Sequence, residues 1–222
     1  MIRLSPTPRT TLTRERHRAV TDRARLHALL ADGLVAHLGV VADGHPVVLP
    51  TAYGVDLEGP DEGGTLYLHG SVAAGWLTRA LEHEVCVTVT ELDGLVTARS
   101  GFHHSMNYRS AVVIGRVRRV EDDAERSHAL DLIVDQMVPG RAVTLRPPTR
   151  KELAATVVLA LPLAEASMKE RAGGPRDDPE DVEAGVWGGH VPLRRVAGTP
   201  VSSADSHDDV PADVVRRAAG LA

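Results

Sequence analysis

The stretch HHSMNYRSAVVIGRVRRVED, residues 103–122, decides how the rest of the chain is read. Its second half, AVVIGRVRRV, alternates small apolar with basic side chains, the two-residue period of a β-strand. A strand over 109–120 follows from that period. Asn107, Tyr108, Arg109 and Ser110 then place four hydrogen-bonding side chains at the mouth of the strand. Arginine can grip phosphate through its planar fork, and tyrosine can stack or donate. Read alone, the same four residues are equally a solvated strand end with a surface ion pair.

Upstream, Leu26, Leu29 and Leu30 share one side of a helix expected over about 21–31, stopped by Asp32-Gly33. LVAHLGVVADGHPVVLPTAYGVDL, residues 34–57, reads as two strands joined by a hairpin turn at Asp43-Gly44. TLYLHG, 65–70, is a third strand, with Leu66 and Leu68 on one face and Tyr67 and His69 on the other. Ser71 is expected to cap a helix running to about His83 that turns Trp76, Leu77, Ala80 and Leu81 inward. VCVTVTE, 85–91, makes a fourth strand, closed by a turn at Asp93-Gly94.

Downstream, Asp122 and Glu125 open a helix with Leu130, Ile133, Val134 and Met137 inward, ended by Pro139-Gly140. A strand over about Thr156 to Leu163 leads to EASMKERAGGPRDDPED, a charged loop, and VWGGHVPLRRV is the last compact element. The N-terminal residues, with Pro6 and Pro8, read as an extended arm. Residues 1–198 form one domain, and 199–222 a loose tail with a short helix. Strands outnumber helices and the helices are inserted rather than alternating, so the fold class is mainly β with helical insertions (α+β), an antiparallel barrel.

Composition narrows the function classes. Hydrophobic residues are 43% and charged ones 25%, the balance of a globular domain, while aromatics are only 3%. The core is therefore built from Val, Leu and Ala. A net charge of −5 calls for neither nucleic acid nor an anionic membrane. Cys86 stands alone, which precludes an internal disulfide and fits a reducing cytoplasm. No window reads as a signal peptide or membrane span. The histidines are too scattered for a metal signature, and there is no nucleophile elbow or phosphate-binding glycine loop of the nucleotidase type. A second anion-binding candidate is His69-Gly70-Ser71, where a strand hands over to a helix N-terminus. Alone, it is also a glycine turn with a serine cap.

Four segments in this order resemble one family: HGS after LYL, SGFHHSMNYRSAVVIGRVRRVED, ELAATVVLALPLAEASMKERAGGPRDDPED, and VWGGHVPL. They are similar to the flavin-nucleotide-binding branch of the pyridoxamine 5'-phosphate oxidase-like proteins, with the nitroimidazole-resistance proteins as cousins. The likeness spans about Arg9 to Arg195, and NYRS and the SxKxR segment are its most specific parts. The resemblance implies an FMN-binding antiparallel split barrel, homodimeric, with two flavin sites at the subunit interface. It implies His69, Gly70 and Ser71 beside the phosphate, Asn107, Tyr108, Arg109 and Ser110 on the cofactor-proximal strand, and Lys169 and Arg171 with Ser167 from SxKxR. It also implies Trp187 near the cofactor rather than in the core.

One departure stands out. Where relatives carry a Ser-Arg pair that can hold phosphate, this chain has Ala74-Gly75. The arginine-rich ending that grips vitamin B6 is not evident either. The reading is a cytoplasmic FMN-dependent oxidoreductase that transfers hydride or electrons to a small molecule, with His69 the best acid–base candidate and no metal. FAD, a deazaflavin or haem are the alternative cofactors, and a non-catalytic flavin- or haem-binding protein is the alternative function.

Overall fold

The computed structural model describes residue 4 and residues 7–221; Pro6 of the expected arm lies outside them. Among the described residues eleven strands form two antiparallel sheets. The larger runs β1 (Ala19–Val20), β10 (Ala166–Arg171), β7 (Ser105–Arg116), β6 (Glu84–Thr97), β2 (Ala36–Ala42) and β3 (His45–Thr51), with β11 (Gly189–Pro192) pairing to the far end of β6. The smaller runs β4 (Tyr53–Asp56), β5 (Thr65–Ser71), β9 (Thr156–Pro162) and β8 (Arg118–Arg119).

The chain passes between the sheets by nearly continuous strands. β3 gives way to β4 at Ala52, and β7 to β8 at Val117, so each long apolar run serves both sheets. This is how an antiparallel sheet turns a corner and closes on itself. The fold is the split barrel that the resemblance implied. Between the sheets lies the main core of Leu38, Leu66, Leu68, Val87, Val113, Leu159, Leu161 and Met168, all buried.

Among the described residues six α-helices surround this frame. α1 (Arg23–Asp32) packs Leu26, Leu29 and Leu30 into the main core, with the Asp22 carboxylate accepting from the Ala24 N–H at 3.0 Å. Its last carbonyls do not go unmet. The buried Tyr53 hydroxyl donates to the Leu30 and Gly33 carbonyls at 2.6 and 3.0 Å, and Gln136 Nε2 reaches the same two at 2.9 and 2.6 Å. α3 (Asp123–Met137) begins at Asp122, whose carboxylate accepts from the Glu125 N–H at 2.8 Å. It covers the outer face of the smaller sheet, where Ala129 and Ile133 meet Tyr67, Val158 and Ala160 in a second core. α2 (Gly75–Glu82), α4 (Arg150–Ala155) and α5 (Pro179–Glu183) are short. α6 (Ala212–Gly220) is the short helix expected in 199–222, and its Arg217 donates to the Met137 and Gln136 carbonyls that end α3.

Several local expectations give way. Asp43-Gly44 does make the hairpin, both residues at positive φ as a tight two-residue turn requires, but the second strand breaks into β3 and β4. Asp93-Gly94 is no turn: β6 continues through it, with a register shift between Leu92 and Gly94, a bulge that keeps β6 paired to β7 on both sides. The charged stretch at 165–171 is mostly strand β10, because Ala166 and Met168 alternate inward between the polar neighbours Glu165, Ser167 and Lys169. The strand expected over 109–120 starts earlier, at Ser105, so NYRS lies within β7 and not at its mouth. Among the described residues no helix is long and apolar enough to cross a membrane.

Candidate functional site

Two regions concentrate polar side chains, and the sequence candidates divide between them. On the larger sheet, register places Thr90, Ser110 and Lys169 in one row, and Leu92, Tyr108 and Arg171 in the next. Ala111 and Met168 are buried on the inner face, so alternation turns Tyr108, Ser110 and Lys169 outward. Ser110 and Thr90 share a hydroxyl hydrogen bond of 2.9 Å. The Lys169 ammonium has no hydrogen-bond or ion-pair partner among the described residues. A row of two hydroxyls and an uncommitted cation on a half-buried sheet suits a planar, anionic ligand.

Asn107 and Arg171 meet at the edge of this face. Asn107 is only 5% exposed, and its Oδ1 accepts from Arg171 at 2.5 Å while its Nδ2 donates to the Gly173 carbonyl at 3.1 Å. Arg171 also donates to the Gly173 and Gly174 carbonyls at 3.2 and 2.9 Å. NYRS and SxKxR, far apart in sequence, thus share one hydrogen-bond network. Arg109 belongs to neither row. It forks onto Asp93 at 3.1 and 3.0 Å and reaches Asp32 at 3.1 Å, and these carboxylates push its pKa up. Of the two readings of Arg109, ligand grip or ion pair, the geometry is that of the ion pair.

Trp187 is 64% exposed and outside both cores, its ring lying over Gly189, where an added Cβ would come within 2.7 Å of it. β11 carries it to the part of β6 that pairs with Ser105 and Met106, just before Asn107. Across that end Leu95 lies beside Met106 and Val191, and all three are about half exposed.

The second region is built around His69. Ser71 does not cap α2: the helix begins four residues later, behind Ala74, and the Ser71 hydroxyl accepts only from the Ala73 N–H at 3.2 Å. Gly70 is a packing glycine, since an added Cβ would stand 2.9 Å from the Trp76 ring. His69-Gly70-Ser71 therefore lacks the helix N-terminus that made it an anion-binding candidate. His69 instead turns, with Tyr67, toward α3 and lines a cavity of about 710 Å³. Leu130, Val134 and Met137 of α3 and Val143 and Leu145 beyond it form an apolar wall, with Arg146 and Glu152 among the few charges. Arg146 forks onto Glu152 at 2.9 and 2.6 Å and, with the Thr149 N–H and hydroxyl, holds that carboxyl down at about 2.

His69 Nδ1 is buried and has no hydrogen-bond partner. Burial pushes the ring's pKa below its ordinary value, so the imidazole is neutral near pH 7. A buried ring nitrogen without a partner costs about 1–3 kcal/mol and calls for an explanation. The sequence marks His69 but not its cavity, whose far wall comes from the distant 142–152 segment. The signal was there: Thr149 and Glu152 form a complete capping box that fixes α4 and the Pro147-Pro148 approach to it. One grouping of metal-ligand type also occurs among the described residues, His103 with Asp178 and Asp181, in which His103 Nε2 lies 3.2 Å from Asp178.

The fold is that of an antiparallel split barrel of the flavin-binding type. The chain belongs to the pyridoxamine 5'-phosphate oxidase family, whose pattern it matches over residues 22–170. Among solved structures it is similar to the flavocytochrome Anf3 from Azotobacter vinelandii, at 34% identity and a TM-score of 0.88, covering 96% of this chain and 98% of that one. It is similar also to an FAD and haem binding protein from Mycobacterium smegmatis, at 40% identity and a TM-score of 0.83, covering 90% and 97%. A 5-nitroimidazole resistance protein homologue from Bacteroides thetaiotaomicron shares the fold at 24% identity and a TM-score of 0.56, covering 68% and 85%. No curated protein matches the chain.

Proposed function

We propose that this protein is a redox protein that holds a flavin on the β7–β10 face and a haem in the His69 cavity. The observation that carries the haem is His69 itself: an imidazole kept neutral by burial, on the wall of a largely apolar cavity of about 710 Å³. Neutral imidazole is the common protein ligand to haem iron, and ligand pockets generally run to about 300–1,000 Å³. The donor set therefore fits the group. The solved structures at 34% and 40% identity, a flavocytochrome and an FAD and haem binding protein, support the pairing of cofactors. Ser110, Lys169 and Tyr108 would bind and orient the flavin, and Arg171, held by Asn107, would set the charge at its edge. When bound, a flavin supplies hydride chemistry and a haem one-electron chemistry, and the protein's part is binding, orientation and exclusion of water.

The same reading makes the protein a homodimer with a small-molecule electron partner. Leu95, Met106 and Val191 form an exposed apolar row at the end of the flavin face, and such rows are covered in closed two-fold pairs. The absorption spectrum of the purified protein tests the function. A flavin band in the blue together with a Soret band supports it; flavin alone removes the haem, and a colourless protein that takes up neither cofactor removes both.

A further inference from the structure

Beside β1 and the end of β10 lies a cleft of about 310 Å³ lined by His17, Arg18, Glu170, Arg171 and Arg176. Three guanidiniums in so small a space repel one another: burial first, and then Arg18 and Arg176, lower the pKa of Arg171. Among the described residues neither Arg171 nor Arg176 has a carboxylate partner. Arg171 spends its donors on Asn107 and two loop carbonyls, and Arg176 lies 3.1 Å from His17 Nε2.

The acids that could neutralise them are engaged elsewhere. Asp177, next to Arg176, is nearly fully buried and bound to the Arg99 N–H and guanidinium at 3.0 and 2.7 Å. Asp178 faces His103. Glu170, on the cleft wall, is paired with Arg25 at 2.5 Å. Among the described residues, Glu15 is the carboxylate paired with the cleft's own cations, at 3.0 Å from Arg18 and 3.4 Å from His17, and Arg18 still keeps a buried Nε without a partner. A fold tolerates like charges at this density where a ligand of opposite sign completes them.

We propose that the Arg18–Arg171–Arg176 cleft, with His17, is a binding site for a phosphate or diphosphate group. Guanidinium forks match phosphate oxygens two at a time, and three of them around one cleft suit a multiply charged oxyanion better than a carboxylate. Two sources share that chemistry: the diphosphate of a dinucleotide flavin whose ring occupies the adjoining β7–β10 face, or a separate phosphorylated small molecule. The site itself does not depend on the haem.

Calorimetric titration of inorganic pyrophosphate into the protein, stripped of flavin and flavin-loaded, tests it. Binding to the stripped form that is lost on loading with FAD assigns the cleft to the cofactor, whereas binding to both forms assigns it to a separate ligand. In either case Arg176→Gln, an exposed substitution that leaves the barrel intact, is expected to weaken binding about ten- to a hundredfold, and binding should fall as salt is raised. A stripped protein that binds no pyrophosphate, or an Arg176→Gln variant with a normal melting curve and unchanged affinity, overturns the proposal.

Discussion

Around His69 the wall is Leu130, Val134, Met137, Val143 and Leu145, and the one titratable ring is held neutral by burial. Around Arg171 the surroundings are Arg18, Arg176, His17 and Asn107, and charge is crowded beyond what neighbouring acids neutralise. Both regions leave something unmet, in the first a hydrogen bond and in the second a charge. On the proposed reading, one barrel prepares two kinds of ligand site by opposite means. The outer face of the smaller sheet is roofed by a helix, and the cavity there is lined mostly by apolar side chains, the setting proposed for a haem. At the edge of the larger sheet Arg176, from the loop after β10, joins Arg18 and Arg171, the setting proposed for an anion.

Substitutions that affect one region and spare the other would sharpen this contrast. The largest effect is expected from filling the cavity. Leu130→Trp places an indole where the ligand would lie, and overpacking costs about 1–3 kcal/mol, so haem affinity should fall by up to about a hundredfold. Flavin affinity should hold. Loss of both in a folded variant would mean that the two regions are one site.

Next comes Arg171→Gln, which removes a cation from the flavin edge and leaves Asn107 without its short hydrogen bond. Charge-assisted bonds are worth about 1.5–3 kcal/mol, so flavin affinity should drop about ten- to a hundredfold, with haem affinity unmoved. Lysine should restore only part, having no planar fork. Fluorescence titration with FMN and FAD measures it.

Arg109→Ala is expected to do less, and differently. Its partners Asp93 and Asp32 are partly exposed, so the loss is one of stability, about 1 kcal/mol at the top of the surface-pair range. Flavin affinity should stay within about twofold. A tenfold loss of affinity would return Arg109 to the ligand.

The smallest effect is the pH dependence of His69. Its folded pKa lies below the ordinary 6.5, so as pH falls through 6.5 the unfolded chain takes up a proton that the folded ring resists. The stability of the cofactor-free protein should therefore decline on acidification below that point, and His69→Gln should flatten that part of the curve. A profile identical in the variant would mean that the ring is not held neutral.

Much of the barrel was legible in the sequence, because period-two alternation survives in β5, β6 and β7 and Asp43-Gly44 marks its hairpin without ambiguity. β10 was not, since Lys169, Glu170 and Arg171 outweigh Ala166 and Met168 by eye although the inner face needs only those two. Of the site, Asn107 and Arg171 were found as motifs, but the bond joining them depends on β7–β10 register, which no local signal carries. Arg109 reads as a ligand in one dimension because its neutralising partners, Asp32 and Asp93, come from two other segments. The cleft escaped for the same reason: Arg18 and Arg176 are 158 positions apart.

The most direct measurement of the central claim is a haemin titration of the stripped protein and its His69→Ala variant, followed at the Soret band. The expected result is saturable binding with a histidine-ligated spectrum in the wild type, and in the folded variant at least about tenfold weaker binding with that spectrum lost. The same spectrum and the same dissociation constant in both proteins would contradict the account.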